Sequence, residues 1–169
     1  MDTGISLLNY KDAVRILNNL NVPFFLSNGT FLGYRREGDF IQHDLDVDLG
    51  VLIENYRDDI LESLLNDGFT IHKIYGEVLD RLEYSMMKRE QKLDIFFYYN
   101  DGKQMWHGIS NGDLHGRYVY PMTDFKKVRF HGSDVLIPED TFLEAEYGDW
   151  KQVVKNWHWW NSPHNIQHQ

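Results

Sequence analysis

The sequence predicts an α/β (α+β) fold: a small mixed sheet with flanking helices gathered on one face and an acidic strand at its centre. Three stretches carry this expectation. Residues 6–20 repeat Leu7, Tyr10, Val14, Leu17 and Leu20 every three or four positions, with Lys11, Asp12, Arg15 and Asn18 between them. That is the pattern of an amphipathic helix laid on a sheet. Asp44, Asp46 and Asp48 alternate with Leu45, Val47 and Leu49, the period-two signature of a strand. Residues 92–99, K-L-D-I-F-F-Y-Y, are dense in β-forming side chains.

The remaining elements follow in order. Asn21 and Pro23 end the first helix, and Phe24 to Ser27 form a short buried strand. Residues 30–37 form a short helix carrying Arg35 and Arg36, broken by Gly38-Asp39. After the acidic strand, Asn55 caps a helix to residue 66, with Ile60, Leu61, Leu64 and Leu65 inward and Gly68 at its end. Residues 69–75 and 82–88 are strands joined near Gly76. Asn100-Asp101-Gly102 then turns the chain so that 104–106 pair back on 92–99. The stretch 107–120, with Gly108, Gly112 and Gly116, is expected to be an active-site loop. Its His107, His115 and Arg117 are candidates for substrate contact, or plain surface residues. Residues 126–130 and 134–137 form a hairpin around His131-Gly132, and 138–147 form a helix closed by Gly148. Trp150, Trp157, Trp159 and Trp160 follow; they clamp the tail onto the domain or offer a stacking surface.

Carboxylates two apart on a strand lie roughly 6–7 Å apart on one face. Such charges repel unless a cation separates them. Asp46 and Asp48 are therefore candidate ligands of a divalent ion, Mg2+ or Mn2+, hard ions that also hold phosphates. Gly29 and Thr30 sit at a strand-to-helix turn, where backbone can approach a ligand closely and helix N–H groups can meet a phosphate. Arg35 and Arg36 lie between that turn and the acidic strand and are candidate phosphate contacts, or a solvated helix face. Asp94, alone among Leu93, Ile95, Phe96 and Phe97, is costly to bury without a partner. By itself it is most simply an ion-paired or hydrogen-bonded strand residue.

Gly-Thr followed by D-h-D on the next strand resembles the layout of the nucleotidyltransferase fold of polymerase-β-like enzymes. The stretch LSNGTFLGYRREGDFIQHDLDVDLG resembles the opening motif of the LicD/fukutin family, and the tail WHWWNSPHNIQ resembles its fukutin branch. The resemblance runs from about Phe24 to the end and implies a third catalytic carboxylate on a later strand, which is Asp94 here. It also implies an activity: transfer of a phosphorylated alcohol, ribitol phosphate or phosphocholine, from a CDP-linked donor to a glycan or glycolipid, with release of CMP. Asp46, Asp48 and Asp94 then hold the metal, Gly29, Thr30, Arg35 and Arg36 meet the donor phosphates, and Asp44 stands behind them. A nucleotidyltransferase that expels pyrophosphate is the alternative, and a catalytically silent binding module a third.

Composition narrows the classes further. One domain over 1–169 is expected, with 149–169 as a Trp-rich extension. With 42% hydrophobic residues a core is within reach, and a formal charge of −9 argues against a duplex nucleic-acid partner. No apolar run approaches the ~18 residues of a membrane span. The chain has no cysteine, so thiol catalysis and Cys-zinc sites are excluded. A soluble, cytoplasmic enzyme is the expectation.

Overall fold

The computed structural model describes residues 3–42, 44, 46–111, 114–155, 157, 158 and 165–168. Its helices are α1 (Thr3–Asn19), α2 (Asn28–Glu37), α3 (Asp59–Asn66) and α4 (Thr141–Tyr147). Its strands are β1 (Phe25–Leu26), β2 (Asp46–Leu52), β3 (Thr70–Glu77), β4 (Asp80–Lys88), β5 (Gln91–Asn100), β6 (Gln104–Asn111), β7 (Leu114–Pro121), β8 (Lys126–Phe130), β9 (Ser133–Ile137) and β10 (Ile166–His168). They form one mixed sheet in the order β10-β7-β6-β5-β2-β1-β9-β8, with β4 also on β5 and β3 on β4. The two pairings that matter most are parallel β2–β5 at the centre and antiparallel β1–β2 beside it.

The alternation in β2 and β5 separates the two faces. Val47, Leu49, Val51, Leu93, Ile95 and Phe97 are fully buried on one face. Helix α1 contacts both strands and α3 packs on α1. An ion-pair cluster ties α1 to the β4–β5 turn: Lys88 Nζ lies 2.7 Å from Asp12 and 2.9 Å from Asp67. The other face carries Asp48, Asp94 and Tyr98, and α4 lies over it. Phe142 stacks on Tyr98 at 6.1 Å and on Tyr120 at 4.4 Å. The helices thus flank the sheet on both faces, not on one. Placing Phe142, Leu143 and Glu146 inward makes α4 a lid over the lower part of the carboxylate face.

Several boundaries differ from the sequence reading. The helix expected from Asn55 begins at Asp59, because Ile53–Asn55 form a separate 3-10 turn. The β3–β4 turn falls at Val78-Leu79, two residues beyond Gly76. The larger correction concerns 107–120. Its described residues, 107–111 and 114–120, are not a loop: β6 and β7 pair antiparallel there, His107 opposite Tyr118 and Gly108 opposite Arg117, while Gly112 lies outside the described residues. The glycines misled because Gly108 serves packing. A Cβ there would stand 2.3 Å from the Arg81 Cβ and 2.9 Å from its Cα, so the hairpin needs glycine to lie against β4. His107 is 2% exposed and packs edge-on against Tyr98 at 4.9 Å. Arg117 lies over the Trp106 ring at 4.8 Å, and His115 is exposed.

A buried polar seam runs beneath α4. His107 Nε2 is 3.2 Å from the Tyr120 hydroxyl, which donates to Glu146 Oε2 at 3.0 Å. Tyr98 shares a 2.6 Å hydrogen bond with Ser27 and donates to Asn28 at 3.2 Å, at the start of α2. Burial raises the Glu146 carboxyl to about 7 and lowers His107 to about 4. A carboxyl raised above its unfolded value makes the fold less stable as pH climbs from about 4.5 to 7. The histidine acts oppositely, withdrawing stability as pH falls from 6.5 toward 4. Glu146→Gln removes only the first slope. Denaturant unfolding at pH 5 and pH 8 should show the variant gaining on wild type at the higher pH, by an amount on the order of 3 kcal/mol. An unchanged difference between the two pH values would mean that burial does not raise the Glu146 carboxyl.

Candidate active site

In-register parallel pairing sets Asp48 of β2 opposite Asp94 of β5, and Asp46 opposite Lys92. Alternate residues of adjacent strands share a face, so these four side chains stand together. Asp48 is 6% and Asp94 4% exposed; Asp46 is half-buried. Strand β2 begins at Asp46, and Asp44 lies just before it in a turn where its N–H donates to Ile41 O at 3.0 Å. Asp44 still joins the group: one carboxylate oxygen from each of Asp44, Asp46 and Asp48 lies within 4.8 Å of the others.

The start of α2 closes over this group. The Gly29 N–H donates to Asp48 Oδ2 at 3.0 Å, and the Asp48 N–H donates to Thr30 Oγ1 at 2.8 Å. Thr30, 2% exposed, thus pins the acidic strand to the helix. Gly29 leaves no room for a side chain: a Cβ would lie 2.1 Å from Asp44 Oδ2 and 3.2 Å from Asp48 Oδ2. The arginines lie in the last turn of α2, six and seven residues beyond Gly29, or roughly 9–10 Å along the axis. Arg35 makes a two-pronged pair with Asp140 at 2.6 and 2.7 Å and sits over the Trp150 ring at 5.7 Å. Arg36 is 3.9 Å from Glu37. The structure therefore gathers Gly29, Thr30, Asp46, Asp48 and Asp94, and sets Arg35 and Arg36 at the far end of the helix.

Three residues absent from the sequence reading complete the site. Lys92 Nζ bridges Asp46 Oδ2 at 3.1 Å and Asp94 Oδ2 at 3.0 Å. Ser85 donates to Asp94 Oδ1 at 2.5 Å. Glu83, two residues before Ser85 on β4, is half-buried on the same side. A Lys-x-Asp spacing on one strand face is a signal for Lys92; Ser85 and Glu83 become visible only once β4 pairs with β5. The charges react to this crowding. Burial, then Asp46, Asp44 and Asp94, push the Asp48 carboxyl well above the usual range. Burial also raises Asp94, with Lys92 and the Ser85 hydrogen bond working against it. Glu83 is raised to about 8 by burial and by Asp94. Burial disfavours the Lys92 ammonium, but Asp94 and Asp46 more than offset it, so it stays charged.

These residues fit a hard divalent cation. The Asp44, Asp46 and Asp48 oxygens are close enough to share one. A lysine ammonium already stands between Asp46 and Asp94, as expected where the carboxylates need positive charge. Gly29, having no side chain, lets the Asp44 and Asp48 carboxylates close up against the start of α2.

A helix opened by Gly-Thr, pinned to a strand of alternating carboxylates with another acid on the adjacent parallel strand, defines a nucleotidyltransferase-fold protein. Solved structures agree on the fold. The chain is similar to a lincomycin-bound lincosamide antibiotic adenylyltransferase, LnuA, with a TM-score of 0.55 and 16% identity over 84% of this chain and 85% of that one. It is similar also to a solution structure of the antibiotic-resistance factor ANT(2'')-Ia, with a TM-score of 0.57 and 15% identity over 85% and 70%. Residues 21–140 match the LicD/FKTN/FKRP nucleotidyltransferase domain, and the chain belongs to that family. Its relatives include the ribitol-5-phosphate transferase FKTN of Homo sapiens and of Macaca fascicularis. Each is 38% identical over 161 residues, covering 92% of this chain. The chain spans about a third, 35%, of the length of those relatives.

Asp48 gives a test of the crowding. Its carboxyl is raised in the fold, so its ionisation weakens the metal-free protein at neutral pH. Asp48→Asn keeps an oxygen for the Gly29 N–H and deletes the charge. The melting temperature without divalent ions should rise by a few degrees, while any stabilisation by added Mn2+ should shrink. A clear fall in that melting temperature, with Mn2+ stabilisation kept, would make Asp48 a structural residue.

Proposed function

We propose that this chain is the catalytic part of a metal-dependent phosphotransferase. It would move an alcohol phosphate, ribitol 5-phosphate ahead of phosphocholine, from a CDP-linked donor to a hydroxyl of a glycan or glycolipid, and release CMP. One observation carries the reading: in a chain of the LicD/FKTN/FKRP family, Asp46, Asp48 and Asp94 share one sheet face under the Gly29 turn. The likeness to ribitol-5-phosphate transferases favours the ribitol donor.

The chemistry is a displacement at phosphorus. The acceptor hydroxyl oxygen bonds to the phosphorus that carries the alcohol, the bond from that phosphorus to the oxygen shared with CMP breaks, and CMP leaves with the electron pair. Mg2+ or Mn2+, held by Asp46, Asp48 and Asp94, would supply positive charge to the phosphate oxygens. The chain's own groups do the rest. Gly29 lets the donor diphosphate approach the start of α2, whose N–H groups favour anions. Thr30 fixes that start to β2 through the Asp48 N–H. Asp94 takes the hydroxyl proton. A role for Arg35 at the donor would require it to leave Asp140; Arg36 is the less committed of the two. Among the described residues no helix is long and apolar enough to cross a membrane.

The test is incubation with Mg2+, CDP-ribitol, CDP-choline or CDP-glycerol, and a glycan acceptor. CMP should form together with a glycan heavier by one alcohol phosphate, and Asp94→Asn should slow this by at least ~100-fold. Pyrophosphate released from CTP or ATP, with every CDP-alcohol untouched, would instead mark a nucleotidyltransferase. Turnover of neither class would leave a binding module.

A further inference from the structure

Lys92 is the feature that the metal reading does not absorb. Its ammonium lies 3.1 Å from Asp46 and 3.0 Å from Asp94, touching two of the three carboxylates assigned to the metal. Asp94 is almost wholly buried, with 5% of its side chain exposed, whereas Lys92 is 34% exposed. A divalent ion on the same carboxylate oxygens cannot share them with a lysine, because ligand oxygens must close to about 2.0–2.1 Å and two cations would then stand in contact. The lysine stem is flexible and open to solvent, and its three donors are not locked into one geometry. The ammonium can therefore leave without disturbing β5.

We propose that Lys92 is a tethered counter-ion: it neutralises Asp46 and Asp94 while the site holds no metal, is displaced when the metal binds, and then turns to the donor diphosphate. This rests on the metal site assigned above. The displaced ammonium stays on the carboxylate face, one strand across from Asp48, which the start of α2 meets through the Gly29 N–H. A charge-assisted contact to phosphate replaces the two that it gives up. Metal and donor then bind cooperatively through one side chain. Metal alone must break two ion pairs, whereas with donor present the freed ammonium regains an anionic partner. The lysine also explains how a strand pair with several buried acids folds before metal arrives, since Asp94 would otherwise have only Ser85.

Calorimetric titration of Mn2+ into the metal-free protein, with and without CDP, separates the possibilities. Wild type should bind Mn2+ more tightly in the presence of CDP. Lys92→Met removes the competitor, so Mn2+ alone should bind about tenfold more tightly than to wild type, and the gain from CDP should largely vanish. Lys92→Arg tests the same idea in the opposite direction and keeps the charge that folding needs. Its planar fork grips two carboxylates more firmly, so Mn2+ should bind more weakly than to wild type. Mn2+ affinity that is unchanged or weaker in Lys92→Met, with wild type binding normally, would overturn the proposal and make Lys92 a positioning residue. Absence of Mn2+ binding in all three proteins would overturn the metal site itself, and the proposal with it.

Discussion

The site depends on one pairing, the in-register parallel contact of β2 with β5, which sets Asp48 beside Asp94. Apolar burial enforces it. Val47, Leu49 and Val51 fall opposite Leu93, Ile95 and Phe97, and all six are inaccessible to solvent. A slip of one residue would bring those side chains to the carboxylate face and bury the acids in the core. The hydrophobic face thus fixes the register, and the register forces like charges together on the other face. Three groups near the acids answer that repulsion: Lys92 across Asp46 and Asp94, Ser85 on Asp94, and the Gly29 N–H on Asp48.

The carboxylate face is also where the helices meet the sheet most selectively. Thr30 locks the start of α2 onto β2, and Tyr98 reaches the same helix start through Ser27 and Asn28. Farther along, α4 covers the face with Phe142 and the buried Glu146. The open part of the face is left around Asp44 and Asp46. Arg35, held by Asp140 and lying over Trp150, links the end of α2 to the segment around α4. Trp150 is 6% exposed and Trp157 packs on Tyr147 at 4.8 Å. These two tryptophans are fastened to the domain, and Trp159 and Trp160 lie outside the described residues.

Much of this was legible in the sequence because it is local. The spacing of Leu7 to Leu20, the alternation through Asp48, the Gly-Thr turn and the Asn100-Asp101-Gly102 hairpin each lie within fourteen residues. The family motif supplied the one long-range expectation, that Asp94 stands beside Asp48, and the register of β2 and β5 agrees with it. What stayed hidden depends on partners far apart in the chain. Ser85 and Glu83 acquire meaning only when β4 lies against β5. Gly108 looked like loop chemistry because its neighbour Arg81 is 27 residues away in sequence and close in space. The ion pair of Arg35 stayed hidden because Asp140, its partner, is 105 residues distant.

The proposed function turns on whether the crowded carboxylates of the β2–β5 face hold a divalent cation. Crystals soaked in Mn2+ and measured at the manganese absorption edge test it most directly. If the carboxylates do hold one, an anomalous peak is expected within ligand distance, about 2.0–2.1 Å, of oxygens of Asp46 and Asp48, with the Lys92 ammonium moved off Asp46 and Asp94. A peak elsewhere, or none at saturating Mn2+ with Lys92 still bridging the two acids, would contradict it.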